Sequence, residues 1–203
     1  LIEKELVYPC YETPEELSLK RKSQLSSGKP PVYDRSSLKL SLKDIEGFKS
    51  QGKKPHYRFL LKHETVFWND MVRGDTKYNM GNISDPIIVR EDGRFIYTLA
   101  SVIDDIDLKI SHIIRGEDHV TNSAAQIQIF NSMGANVPIM GHLSLMTDIK
   151  GEGLSKRTGG LSIKDLRNEE IESLSLNSYL SLAGTSENII LKENLKEIIS
   201  DFD

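Results

Sequence analysis

The feature that most narrows the folds open to this chain lies between residues 109 and 146, where two apolar strand-like runs bracket a helix-like one. Residues 109–115 read as a strand, and 138–146 as a second, largely apolar strand. Between them, residues 121–133 set Ala124, Ile127, Phe130 and Met133 along one helical stripe, with Gly134 placed to stop the helix. Strand, helix, strand at this spacing is a βαβ unit, and the crossover returns the chain in the same direction, so the sheet is parallel. The expected class is α/β. In open sheets of that class, ligands bind outside the carboxyl ends of the strands.

The flanking segments obey other rules. Thr13 precedes Pro14-Glu15-Glu16-Leu17, which supplies an N-cap, a proline at the first helical position and acids in the first turn. Gly28-Lys29-Pro30-Pro31 ends that helix. A second helix is expected over 41–50, capped by Ser41 and closed by Gly52. Strands are expected over 56–61, 66–68, 86–90 and 95–99, the last pair joined by a tight turn at Asp92-Gly93. Downstream, 151–160 reads as a glycine-rich loop, and 163–171, 174–182 and 194–199 as helices of a small bundle. No apolar run reaches the roughly eighteen residues of a membrane span. Cys10 is the only cysteine, which excludes an internal disulfide and a cysteine-built zinc site, and a reducing cytoplasm fits best. The first residues, Leu1-Ile2-Glu3-Lys4-Glu5, read as the interior of a longer polypeptide.

The formal net charge of −4 is unevenly spread. Residues 29–62 hold nine bases against three acids, whereas 165–203 hold nine acids against three bases. A basic stretch of this kind attracts a phosphate backbone, and it equally suits a solvated, lysine-studded face. Charge alone does not separate the two.

Three segments carry chemistry. In Gly153-Leu154-Ser155-Lys156-Arg157-Thr158-Gly159-Gly160, two cations sit in a glycine-rich loop directly after the second strand of the βαβ unit. Glycines let the backbone approach a ligand, and a lysine there reaches nucleotide phosphates. In Arg115-Gly116-Glu117-Asp118-His119, a guanidinium and two carboxylates stand where a strand tip meets a helix N-terminus. The arginine fork suits a carboxylate and a neighbouring acid suits an ammonium, so the set fits an α-amino acid; a capped helix with a surface ion pair is the plainer alternative. Tyr97 to Asp107 ends in Asp104, Asp105 and Asp107, either a solvated turn with a helix cap or part of a metal site; calcium-loop spacing is absent.

These segments resemble the glutamyl-tRNA synthetases, class I aminoacyl-tRNA synthetases of the bacterial type. Leu154-Ser155-Lys156-Arg157 looks like the second class I signature in its glutamyl form, with Gly153 where the first lysine usually stands. Arg115-Gly116-Glu117-Asp118-His119 and the helix after it look like the family's amino-acid segment. Gly28–Arg35, Lys54–Phe59 and Val72–Asp75 look like the connective domain that grips the tRNA acceptor end. Ser101 stands where many members have Asn, a form similar to the alphaproteobacterial enzymes.

The resemblance implies the second half of a Rossmann-like catalytic fold. An α+β connective domain (1–95) would precede catalytic residues 96–147, and the signature loop with the start of a helical stem-contact domain (148–203) would follow. It implies ATP-dependent ligation of L-glutamate to the 3′ end of tRNA(Glu), with Mg²⁺ accompanying ATP, in a cytoplasmic monomer. Lys156 would be catalytic; His119, Leu145, Met146, Ser155, Lys156 and Arg157 would hold ATP; Tyr97, Ser101, Arg115 and Asp118 would hold glutamate; Arg58 and Arg73 would touch tRNA. No resident metal and no structural zinc are expected. The family's first signature, a His-Ile-Gly-His-like motif, is not among these residues, so this stretch is not expected to catalyse by itself. Other readings are charging of tRNA(Gln), a sister synthetase, a non-catalytic RNA-binding module, or a metal-dependent hydrolase using Asp104, Asp105, Glu117, Asp118 and His119.

Overall fold

The computed structural model describes residues 1–147, 151, 153 and 162–201. Two compact units divide the chain, Leu1–Leu143 and Ser144–Asp203.

The first unit opens with strand β1 (Val7–Cys10) and helix α1 (Pro14–Ser26). Thr13 caps α1 as expected: its hydroxyl accepts from the Glu16 N–H, and the Glu16 carboxylate accepts from the Thr13 N–H. Helix α2 (Leu42–Ser50) repeats the device with Ser41 and Asp44. The strands that follow are β2 (His56–Phe59), β3 (Thr65–Asp70), β4 (Gly74–Asn79) and β5 (Ile87–Val89). β1, β2 and β5 form an antiparallel sheet. β4 is the strand the sequence conceals. Apart from Tyr78, which packs against the core, it is short of apolar side chains, and it sits at a sheet edge, where outward Asp75 and Lys77 deter further pairing.

The hairpin expected around Asp92-Gly93 is half realised. Gly93 adopts the left-handed φ of +84° and the turn closes through Gly93 N–H to Arg90 O at 2.9 Å. The second arm shrinks to a single bridge, Val89 to Phe95. The strand expected over 95–99 is instead the start of helix α3 (Tyr97–Asp107). Phe95, Tyr97 and Leu99 alternate in sequence, but Leu99, Val102, Ile103 and Ile106 recur at helical spacing, and burying that stripe wins. Phe95 and Tyr97 are left exposed.

The βαβ unit is present: β6 (His112–Gly116), α4 (Val120–Met133) and β7 (Ile139–Leu143), with β6 and β7 parallel from His112↔Ile139 to Gly116↔Leu143. β7 stops at Leu143, short of the expected 146, because its partner β6 turns into the helix entry at Gly116. β3 joins β7 in parallel through Asp70↔Met140, giving the mixed order β4-β3-β7-β6. The sheet therefore unites residues 65–79 with the βαβ unit. α4 is the central element: Ser123 to Phe130 are buried without interruption, packed with Val66, Met80, Leu99, Val102 and Met140. The second unit holds α5 (Ile163–Asn168), α6 (Ser173–Leu182) and α7 (Leu195–Asp201); α6 packs on α7, and Ser178 Oγ accepts from the Lys192 N–H at 3.1 Å.

Candidate active site

Arg115 stands at the carboxyl end of β6, where the parallel-strand rule places a ligand. Its guanidinium is held from two helices. Nη1 donates to Tyr97 Oη on α3 at 3.0 Å; Nη2 donates to Ser123 Oγ and Gln126 Oε1 on α4 at 2.7 and 2.5 Å. Ser123 and Gln126 share a helix face because they lie one turn apart. Gln126 is locked in turn by donating from Nε2 to Ser101 Oγ at 2.6 Å, while Ser101 donates to Tyr97 O at 2.7 Å. Among the described residues, every acceptor on Arg115 is neutral. Among the described residues no carboxylate lies within ion-pair distance of it, and its buried Nε has no acceptor.

Neither of the two carboxylates expected beside Arg115 forms an ion pair with it. Glu117 pairs with Arg73 at 2.6 Å, and Asp118 is exposed, its carboxylate 3.9 Å from His119 Nε2. The His119 ring meets the Tyr97 ring edge-on at 5.8 Å, and its Nδ1 accepts from Asn122 Nδ2 at 3.1 Å. Tyr97, Ser101, Arg115 and His119 are thus assembled around one spot, with Asp118 at its margin. Burial lifts the Asp105 carboxyl above its usual range, opposed by Arg115 and reinforced by Asp104.

Arg73 and Arg58 part company. Arg73 is accessible at the β3–β4 turn, bonded to Glu117. Arg58 is 6% exposed, donates from Nη1 to Asp85 O at 2.6 Å, and lies 4.1 Å from the Tyr33 ring centroid. That buried, stacked placement leaves little of the guanidinium facing solvent, unlike that of Arg73, the other residue expected to touch tRNA. Leu145 and Met146 are exposed members of the second unit. Leu154, Ser155, Lys156 and Arg157 lie outside the described residues.

Asp104, Asp105, Glu117, Asp118 and His119 do not converge as ligands. Among the described residues the one trio whose ligand atoms come within 4.8 Å of each other is Cys10, Glu12 and His56. There, Glu12 already accepts from Tyr33, Ser36 and Ser37 at 2.7 to 2.8 Å.

Sequence reasoning missed Ser123, Gln126, His142 and Asp70, all buried polar side chains tied to the Arg115 site. A serine and a glutamine one turn apart, on the helix that also carries the Ala124, Ile127 and Phe130 stripe, were the available signal, since buried polar groups require partners.

A family model described as class I tRNA synthetases (E and Q), catalytic domain, matches residues 1–202. The chain is 52% identical over 198 residues to the glutamate–tRNA ligase of Azospirillum brasilense, covering 97% of this chain and 44% of that protein. It is 50% identical over 204 residues to glutamate–tRNA ligase 2 of Rickettsia canadensis, covering 100% and 46%. The glutamate-tRNA synthetase crystal structure from Elizabethkingia anophelis is similar with a TM-score of 0.75 and 22% identity, over 100% of this chain and 46% of that one, a likeness of fold. The chain spans about half the length of the curated relatives it matches.

Proposed function

The chain belongs to the class I tRNA synthetases of the E and Q type, and from that premise we propose that the whole protein ligates L-glutamate to the 3′ end of tRNA(Glu) through glutamyl-adenylate, using ATP. The observation that carries this reading is Arg115, a cation at a strand tip held only by neutral oxygens among the described residues. A guanidinium already oriented and not yet neutralised is suited to a substrate carboxylate. The names of the relatives favour glutamate as the amino acid.

The chemistry needs no protein nucleophile. The α-carboxylate attacks the α-phosphorus of ATP, pyrophosphate leaves, and the acyl group passes to a ribose hydroxyl of tRNA. Positioning and stabilisation of growing negative charge carry such steps. Arg115 holds a substrate carboxylate, with Tyr97, Ser101 and Asp118 bounding the amino acid. His119, Leu145 and Met146 border the adenosine, and Ser155, Lys156 and Arg157 meet the phosphates, Lys156 neutralising the leaving group. Mg²⁺ arriving with ATP supplies further neutralisation of the phosphates. Acceptor-end contacts belong to 1–95, amino-acid chemistry to 96–147, and the signature loop and first stem-contact helices to 148–203. Arg73 is the RNA contact carried forward, and its pairing with Glu117 ties it to the segment bearing Arg115. A cytoplasmic monomer is proposed.

The test is glutamate-dependent, tRNA-supplemented pyrophosphate exchange by the whole protein. Arg115→Lys is expected to raise the glutamate KM about tenfold or more, and Lys156→Ala to slow exchange about 10²-fold. Unchanged glutamate kinetics in Arg115→Lys would end this reading. Charging of purified tRNA(Glu) and tRNA(Gln) decides between those two acceptors.

A further inference from the structure

Behind Arg115, three more polar side chains line up in series, each from a different element. Asp70 ends β3, His142 lies in β7 and Ser123 in α4; none is more than 1% exposed. Asp70 Oδ2 accepts from His142 Nδ1 at 2.5 Å and from Trp68 Nε1 at 3.1 Å. Its Oδ1 accepts from the backbone N–H groups of His142, Val72 and Arg73 at 3.0 to 3.2 Å. Burial by itself raises the Asp70 carboxyl, but these donors, His142 first, outweigh it and hold the group well below the usual range.

An ionised acceptor facing Nδ1 keeps the imidazole proton there. In the tautomer with the proton on Nδ1, Nε2 faces Ser123 Oγ as an acceptor, 2.6 Å away. Ser123 has one proton to give and two acceptors within reach, His142 Nε2 at 2.6 Å and the His119 carbonyl at 3.2 Å; given to the nearer one, it leaves an oxygen lone pair for Arg115 Nη2 at 2.7 Å. From carboxylate to guanidinium, each donor meets an acceptor in order. The sequence of groups is superficially that of a hydrolytic serine site. It does not act as one: Ser123 is fully buried and its oxygen is occupied by the guanidinium.

We propose that Asp70, His142 and Ser123 are positioning residues for Arg115, a buried hydrogen-bond relay that locks the guanidinium in the orientation that receives the substrate carboxylate. The use of that orientation rests on the synthetase reading; the locking does not. An arginine has four side-chain torsions, and fixing them before the ligand arrives removes an ordering cost from binding. Neutral partners suit this task better than a carboxylate, because they orient the cation and leave its charge uncompensated.

The locking is read by nitrogen-15 NMR of arginine-labelled chain. A clamped guanidinium rotates slowly about its Cζ–Nη bonds, so the Arg115 Nη protons give separate signals at low temperature. Asp70→Asn and Ser123→Ala are each expected to collapse them into averaged signals. Asp70→Asn removes a heavily bonded buried carboxylate and risks misfolding, whereas Ser123→Ala deletes one oxygen from a helix and keeps the test open. In the whole protein the same variants should raise the glutamate KM about tenfold, leave the ATP and tRNA KM values within twofold, and fail to add to Arg115→Lys. Separate Nη signals surviving in Ser123→Ala, or KM effects spread equally over all three substrates, overturn the relay. Arg115→Lys without effect on glutamate overturns the synthetase reading instead, while the NMR outcome still judges the locking.

Discussion

Two carboxylates, Asp85 buried and Glu12 half-buried, show how single residues hold the first unit together. Asp85 accepts from Tyr8 Oη at 2.6 Å, from Arg35 Nε and Nη2 at 2.9 and 2.8 Å, and from the Leu61 N–H at 3.0 Å. Removing it strands a partly buried guanidinium and a buried backbone donor. Asp85→Ala is therefore expected to cost about 3–5 kcal/mol, seen as a lower urea midpoint. Glu12 has a different signature. Burial raises its carboxyl, but hydrogen bonds from Tyr33, Ser37 and Ser36 prevail and bring it from 4.5 down to about 2. A carboxyl lowered on folding stabilises fully above its unfolded value and loses that contribution as pH falls through its folded one. The chain should lose on the order of 2–3 kcal/mol between pH 4.5 and 2 from this group. Glu12→Gln should flatten that part of a stability–pH curve, and an unaltered curve would refute the assignment.

Elements are delimited by chemistry that sequence shows well. Thr13 and Ser41 start their helices through reciprocal caps, and Gly134 ends α4 at φ +73°. A Cβ at Gly134 would meet nothing within 4 Å, so only the backbone resists substitution there. Gly134→Ala is expected to cost about 1–2 kcal/mol, the strain of a left-handed alanine, measured by thermal unfolding. A negligible change would mean the helix end relaxes to another conformation. Pairing is less visible than capping. Alternation in Phe95, Tyr97 and Leu99 imitated a strand, but one turn further on the stripe Val102, Ile103 and Ile106 continues the helical spacing into the core. β4 lacked an apolar face to announce it, because hydrogen bonding to β3 at a sheet edge needs little side-chain burial.

At the scale of the whole molecule, the sheet order β4-β3-β7-β6 brings residues distant in sequence to one edge of the chemistry. Arg73, at the β3–β4 turn, reaches Glu117, two residues beyond Arg115. If Arg73 meets the tRNA backbone as proposed, Arg73→Ala should raise the tRNA KM uniformly and reduce the slope of log affinity against log salt by about 1. Arg58→Ala should instead lower stability and leave that slope unaltered, because its guanidinium is stacked and bonded inside the fold. Equal slopes in wild type and Arg73→Ala would remove Arg73 from the RNA interface.

The local sequence determined what depends on near neighbours: the βαβ unit from its apolar periods, helix limits from caps and glycines, and Arg115 at a strand tip as the chemically marked cation. Tertiary structure alone decided which partners those groups have. Asp70, Ser123 and His142 come from three separate segments, and Glu117 is drawn to Arg73 instead of to Arg115. A buried polar side chain must find its complement across the core, and that complement is set by sheet order and helix packing, which no short stretch of chain encodes.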